Sequence, residues 1–133
     1  MLRRIAIAFW SILFLFVMAI PAYSGGLDGK TFLGQSGNKG KEASSEEELR
    51  FHNGKLFSAG CAEWGFDESD YTAKVQGDII HFASEMLSPK HGKIVWNGTV
   101  KGDKVDATYV WTKKRWYWKD AYQEKWLKGT LNK

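Results

Sequence analysis

Cysteine is almost absent from this sequence of 133 residues, in which Cys61 stands alone. A single cysteine excludes a disulfide within the chain, so a folded domain has to be stabilised by its hydrophobic core. A small buried hydrophobe is the usual role of such a residue. A reactive free thiol and a bridge between two chains stay open as alternatives.

Motifs of the common enzyme and metal-binding classes are also absent. The sequence has no Gly-x-Ser-x-Gly, no phosphate-binding loop and no dinucleotide-binding fingerprint. None of its histidines, His52, His81 and His91, has a second ligand at the spacing of a metal site. On a strand, His81 and Glu85 would stand about 13 Å apart, which is too far for one ion. We therefore predict no catalytic residue, no metal and no cofactor, and expect that the protein is not an enzyme.

The first 24 residues predict a signal peptide. Met1–Arg4 is basic, Ile5–Ile20 is a run of sixteen residues that is apolar except at Ser11, and small residues at Ala22 and Ser24 suit cleavage before Gly25. The apolar run is shorter than the roughly 20 residues that span a bilayer, and a retained anchor is the alternative. Such an anchor is the only membrane contact that we expect. The protein is thus predicted to be exported, to the periplasm or the medium, which disfavours nucleic acid as a partner.

Residues 25–133 then form the mature chain, whose length is typical of one domain. Loss of the two leader arginines lowers the net charge from +4 to +2. Because this balance is close to neutral, overall charge favours no class of partner. Aromatic residues are abundant instead, and six of the seven tryptophans lie in the mature chain.

Short runs of alternating apolar and polar residues, separated by tight turns, fill the mature chain. Asn53-Gly54 is a strong hairpin signal because a type I′ turn needs positive φ at both central residues. We predict eight strands, at residues 30–35, 47–51, 55–58, 70–75, 79–86, 93–100, 104–112 and 125–131. Residues 36–45 and 59–69 are expected to be loops. Residues 112–126 are expected to form either a hairpin loop or a short helix that caps one end of a barrel.

Sequential hairpins of this kind predict an all-β fold, an eight-stranded antiparallel up-and-down barrel. A sandwich is the alternative, but closure into a barrel removes the exposed edges of an open meander. Small residues at Ala73, Gly98 and Ala107 fall among the large residues of the predicted inner face, which is typical of a tightly curved sheet. The interior of an eight-stranded barrel is either filled by side chains or holds one small ligand.

Three sequence features resemble small exported lipocalin-like (calycin) barrels: the strand at Gly29–Gly34, the repeated Gly-Asp hairpins, and the final Lys128–Leu131 strand. The resemblance covers most of residues 27–131 and implies an eight-stranded barrel. Two features of that family are absent. Gly29-Lys30-Thr31-Phe32 stands where the family has Gly-x-Trp, and the paired cysteines of secreted lipocalins are missing. The resemblance therefore transfers a fold and no binding residue.

Cations lie on both sides of three adjacent aromatic residues between Lys113 and Lys119, and this segment is the sharpest candidate for a contact surface. Its composition suits anionic surfaces, sugar rings or unstacked bases. We predict that Trp116 and Trp118 contact a partner. The alternative is that these rings fold back over the barrel end, since aromatic stripes more often pack than bind.

The function predicted first is that of an exported lipocalin-like protein that binds a small, partly apolar or ring-containing ligand. The residues expected to bind this ligand are Tyr71, Trp96, Tyr109, Trp111, Trp64 and Arg115. The alternative is a structural or inhibitory module that binds a protein or an envelope polymer through the aromatic-basic segment. An enzyme that uses Glu63, Glu85 or a histidine in a barrel mouth ranks third. The sequence specifies neither the ligand nor the oligomeric state.

Overall fold

The computed structural model describes residues 22–23 and 26–133, most of which belong to antiparallel strands. The strands are β1 (Ala22–Tyr23), β2 (Thr31–Asn38), β3 (Ser45–His52), β4 (Lys55–Ser58), β5 (Ser69–Gln76), β6 (Ile79–Ser88), β7 (Gly92–Lys101), β8 (Lys104–Lys113) and β9 (Ala121–Leu131). One short helix, α1 (Ala59–Ala62), follows β4. No helix in the described part of the chain is long and apolar enough to cross a membrane.

Eight of these strands close into an antiparallel up-and-down barrel, which confirms the predicted fold. Each strand from β2 to β8 pairs with the next strand along the chain. The last strand, β9, pairs with β2 through seven residue pairs, from Phe32 with Leu131 to Asn38 with Lys125. The two-residue strand β1 pairs with Lys74 and Ala73 of β5. The rest of the predicted signal peptide, with its cleavage site, lies outside the described residues.

The hairpin between β3 and β4 turns at the predicted dipeptide. Asn53 and Gly54 have positive φ angles of 51° and 76°, as a type I′ turn requires. This turn sets the register that pairs Phe51 with Leu56. Both of these side chains are buried, so the turn places the apolar residues of both strands on the inner face.

Side chains that alternate along the strands fill the barrel interior. Phe51 contacts Phe32, Tyr71 and Phe82 edge to face, with ring centroids 6.1, 4.9 and 5.1 Å away. Each such pair adds about 0.5–1.5 kcal/mol beyond the burial of area. The other large buried residues include Leu27, Leu49, Leu56, Phe66, Met86, Ile94, Trp96, Val100, Val105, Tyr109 and Leu127.

Small residues on the inner face allow close approach within this interior. A Cβ atom added to Gly98 would lie 2.5 Å from the Phe82 ring and 2.7 Å from the Ala107 Cβ. The side chain of Phe82 therefore occupies space that only glycine leaves free at residue 98. This arrangement confirms the prediction that small residues alternate with large ones on the inner face.

The two ends of the barrel differ in their connections. The turn end carries the tight turns at residues 53–54, 77–78 and 102–103, and the loop end carries the longer segments 39–44, 59–68, 89–91 and 114–120. Cys61 in α1 and Phe66 after it belong to the hydrophobic core. The segment 59–68 therefore covers the interior at the loop end.

Three expectations about the connections are corrected by the structure. The first strand continues to Asn38, so the loop predicted from residue 36 begins three residues later and Ser36 is buried. The helix α1 was not predicted; the Ser58 hydroxyl accepts a hydrogen bond from the Cys61 N–H at 3.2 Å and caps its start. The helical alternative for residues 112–126 is wrong, because β8 and β9 stay paired as far as Lys113 and Ala121.

Candidate functional site

Trp96 and Tyr109, two of the residues predicted to bind a ligand, stack on each other inside the barrel. Their ring centroids are 4.1 Å apart and their planes are inclined by 14°. The two residues are cross-strand partners in β7 and β8, and both are buried. The hydroxyl groups of Tyr109 and Ser36 share a hydrogen bond. Each ring therefore covers one face of the other, and a ligand would have to meet their remaining faces or edges.

Trp111 and Trp64 meet the same turn at the loop end. The Trp111 Nε1–H donates a hydrogen bond to the carbonyl oxygen of His91 at 2.6 Å. The Trp64 ring contacts the His91 ring edge-on, with centroids 5.5 Å apart. The Ser88 hydroxyl donates to the Trp64 carbonyl oxygen at 3.0 Å. These contacts attach the segment 59–68 to the β6–β7 turn and leave the Trp64 ring exposed.

Tyr71 lies apart from those four aromatic residues. Its hydroxyl donates to the Asp28 carboxylate at 2.8 Å and accepts from the Leu27 N–H at 2.8 Å. Its backbone N–H donates to the carbonyl oxygen of Gly54, in the turn between β3 and β4. Burial, together with the Asp28 hydrogen bond, raises the pKa of Tyr71 well above its usual range. Tyr71 thus fixes the segment before β2 at the turn end.

Residues 114–120, which we name the aromatic loop, join β8 to β9 at the loop end. The side chain of Trp116 is 94% exposed, and those of Tyr117 and Trp118 are 65% exposed each. Trp116 and Tyr117 meet edge to face, with centroids 5.3 Å apart and an interplanar angle of 72°. The three rings therefore project into solvent instead of covering the barrel end.

Basic residues surround these exposed rings. Lys113 and Lys114 precede them, Arg115 and Lys119 flank them, and Asp120 is the sole acid between residues 113 and 120. The Asp120 carboxylate accepts a hydrogen bond from the Arg115 backbone N–H at 3.3 Å. Among the described residues, no ion pair includes any of these four cations. The aromatic loop and Lys113 therefore present positive charge beside exposed aromatic surface.

A second group of polar residues is buried beneath α1. The Glu47 carboxylate accepts hydrogen bonds from the Ser58 hydroxyl at 3.0 Å, the Gly60 N–H at 2.8 Å and the Glu48 N–H at 2.9 Å. A Cβ atom on Gly60 would lie 2.6 Å from the carboxylate. Glu47 is only 8% exposed, so these three donors replace the water that a carboxylate needs. They also hold α1 against β3.

Cys61 and Tyr109 lie in the field of this carboxylate. Burial raises the pKa of the Cys61 thiol to about 12, and the charge of Glu47 adds to that rise, whereas the Ser58 hydrogen bond opposes it. Burial likewise raises the pKa of Tyr109 to about 12, against the opposing hydrogen bond from Ser36. Both side chains are therefore neutral near neutral pH, where Cys61 has almost no thiolate to act as a nucleophile.

The indole N–H of Trp96 has no hydrogen-bond acceptor among the described residues, although the side chain is fully buried. It lies near enough to the Cys61 sulfur to lower the thiol pKa, an effect smaller than that of burial. The contact does not meet the geometry of a full hydrogen bond, and the N–H is therefore unpartnered among the described residues. A buried donor without an acceptor costs about 1–3 kcal/mol.

Glu47 was not among the residues predicted from the sequence, although the pattern contains a signal for it. Glu47, Leu49 and Phe51 are spaced by two along β3 and therefore share its inner face. The run of three glutamates at residues 46–48 has the composition of a solvated segment, which hides the one that faces inward. Strict alternation applied to every residue of the strand would have identified it.

Two open depressions are lined by residues of neighbouring strands and of the segments before β2 and β5. One, of about 810 Å³, is lined in part by Arg50, His52 and Phe57. The other, of about 340 Å³, is lined in part by His81 and Asn97. Among residues 22–23 and 26–133, no group of three or more His, Cys, Asp or Glu side chains is placed to hold a metal ion.

The predicted ligand-binding residues are thus divided among three places: the interior, the turn at His91 and the turn end. Arg115 belongs to a fourth, the aromatic loop, together with Trp116 and Trp118. The molecule is a closed eight-stranded antiparallel barrel, which in general shape is consistent with a lipocalin-like fold. No protein-family model, curated protein or solved structure matches the chain.

Proposed function

We propose that this protein is an exported binding protein, in which the barrel is a filled scaffold and the aromatic loop contacts an anionic component of the cell envelope. The observation that carries the proposal is the exposure of three adjacent rings, Trp116, Tyr117 and Trp118, beside four cations. Contiguous exposed aromatic surface marks interaction sites, because burying it against a partner is favourable. The unneutralised cations select a partner of negative charge.

The hairpin that carries the loop supports this role. Strands β8 and β9 are paired at ten positions, from Lys104 with Thr130 to Lys113 with Ala121. A contact loop on paired strands is held in place before it binds, which reduces the ordering cost of association. Descent from lipocalin-like barrels is part of the proposal, supported by the general shape alone. A catalytic role is not part of it.

Replacing Trp116 and Trp118 together by alanine is expected to weaken binding to the envelope at least about 30-fold, since exposed tryptophans that become buried dominate interfaces. Cosedimentation of the purified protein with an isolated bacterial envelope fraction measures this loss. The melting temperature is expected to stay within about 2 °C of the wild type, because both rings are largely exposed.

Trp64→Ala is the matched control, since Trp64 is also largely exposed but lies outside the aromatic loop. We expect this variant to bind the envelope fraction within about threefold of the wild type. Equal binding by the wild type and the double variant would contradict the proposal. So would a melting temperature that collapses in the double variant, because the rings would then be packing residues.

A second candidate function is the binding of a small, ring-containing ligand inside the loop end. The unpartnered Trp96 N–H favours this candidate, because a buried donor without an acceptor is rare in native interiors and a ligand atom would satisfy it. Tyr109, Trp111 and Trp64 would be the neighbouring rings. Such a ligand would slow amide exchange in α1 and in β7 and β8 near Trp96, whereas a partner on the aromatic loop would not.

A further inference from the structure

The shape of the aromatic loop restricts the kind of partner that it fits. Strand β2 ends at Asn38, opposite Lys125, whereas β9 begins four residues earlier at Ala121. On the other side, β7 begins at Gly92, which lies against Lys113 at the end of β8. Residues 114–120 therefore lie beyond the last paired residues of β8 and β9, and their three exposed rings protrude from the barrel end. Binding sites for sugars and small molecules are concave. A protruding loop instead fits a deformable surface into which its side chains can insert.

The orientation of the rings also disfavours stacking on a flat ligand. Trp116 and Tyr117 are inclined by 72° to each other, so they do not form one flat platform for a row of sugar rings or bases. Trp and Tyr side chains with an apolar body and a polar edge are instead enriched where a bilayer meets water. At that depth the rings need no common plane, because each is solvated by lipid separately.

The cations beside the rings indicate a negatively charged surface as the partner. Lys113, Lys114, Arg115 and Lys119 all lie next to the rings and take part in no ion pair among the described residues. Basic side chains beside interfacial aromatics are attracted to anionic lipid headgroups, each adding to the affinity. A long basic side chain also reaches outward to a phosphate while its carbon stem lies along the apolar boundary.

We infer that the aromatic loop docks on the surface of a bilayer that contains anionic phospholipid, with its three rings at the boundary of headgroups and acyl chains. The four cations contact the lipid phosphates, and the barrel stays in water. This inference rests on the proposed function and names its partner class. It places the membrane contact in the loop and does not require the N-terminal segment.

The test uses purified mature protein and vesicles of equal parts phosphatidylcholine and phosphatidylglycerol, with pure phosphatidylcholine vesicles for comparison. We expect sedimentation with the anionic vesicles at low salt, a blue shift of tryptophan fluorescence, and binding to the neutral vesicles at least about 10-fold weaker. The triple variant Trp116→Ala, Tyr117→Ala, Trp118→Ala should lose about 100-fold in affinity and the blue shift with it.

A charge-matched pair of variants separates the loop from general electrostatics. Lys114→Gln, Arg115→Gln and Lys119→Gln together should weaken binding to anionic vesicles about 100-fold. The control variant removes the same number of positive charges from exposed lysines elsewhere on the barrel, by Lys74→Gln, Lys104→Gln and Lys128→Gln. We expect it to weaken binding to anionic vesicles less than about threefold. Equal losses in the two variants would overturn the inference.

Lipid-free peptidoglycan sacculi separate this inference from the proposed function. If the protein sediments with sacculi through the aromatic loop but ignores anionic vesicles, the envelope role stands and the lipid inference fails. If it binds neither vesicles nor sacculi nor the total envelope fraction, both fail. Circular dichroism and the melting temperature of each variant exclude misfolding as the reason for a loss.

Discussion

Replacing Gly34 by alanine is expected to lower the melting temperature by about 10–20 °C, the largest effect of a single methyl group that we predict for this chain. Gly34 in β2 pairs with Gly129 in β9, where the first and last strands of the barrel meet. A Cβ atom on Gly34 would overlap the carbonyl oxygen of Lys128 and lie 2.5 Å from the Gly129 Cα. These atoms are backbone, so no side-chain rotation relieves the clash.

The strands would have to separate locally, which weakens the pairing that closes the barrel. We estimate a loss of about 3 kcal/mol or more, at the upper range of overpacking. Gln35→Ala is the control, because Gln35 is the next residue of β2 and its side chain is exposed. Gln35→Ala should change the free energy of unfolding by no more than about 0.5 kcal/mol. Thermal unfolding followed by circular dichroism measures both, and an unchanged melting temperature for Gly34→Ala would contradict the described closure.

The second large effect is a loss of stability in alkaline solution. Cys61 and Tyr109 have folded-state pKa values of about 12, raised mainly by burial, and Tyr71 is raised in the same direction. A group whose pKa is raised in the folded state stabilises the fold below its unfolded pKa. That stability is lost as the pH rises from the unfolded pKa to the folded one. For Cys61 at about pH 11, the loss is about 3 kcal/mol, and for Tyr109 about 1 kcal/mol.

Urea unfolding at about pH 8 and about pH 11 measures this loss. Cys61→Ala removes the thiol. Between these two pH values, the free energy of unfolding of this variant should therefore drop by less than that of the wild type, with a difference of about 3 kcal/mol. Deprotonation of surface lysines affects both proteins equally, so the difference isolates Cys61. Parallel losses in the two proteins would show that the thiol is not buried in the native state.

The fold was predictable because its strands obey a period of two. Alternation placed Ala73 and Ala107 on the inner face, where both are buried, and the dipeptide Asn53-Gly54 specified its turn with both φ angles positive. The need for glycine at residue 34 was not predictable, because it depends on the backbone of a strand nearly a hundred residues away. In the sequence alone, Gly34 only weakens a predicted strand.

The candidate site was predictable in composition but not in arrangement. The sequence placed aromatic and basic residues between Lys113 and Lys119, yet the same composition is compatible with rings packed over the barrel end. The pairing of β8 with β9 decides between them, since it holds Lys113 against Ala121 and leaves the next seven residues without strand partners. The inward carboxylate of Glu47 was missed because it stands in a run of three glutamates, and its three donors, from α1, β4 and its own strand, are brought together only by the fold.

Amide hydrogen exchange of the protein, free and bound to the isolated envelope fraction, tests the central claim most directly. The claim is that the barrel is a filled scaffold and that binding takes place on the aromatic loop. We predict that binding slows exchange at least about 10-fold in residues 113–122. The exchange rates of α1, and of β7 and β8 near Trp96, are expected to stay unchanged. Protection in α1, β7 and β8 near Trp96, with none in residues 113–122, would contradict the claim and favour a ligand inside the barrel.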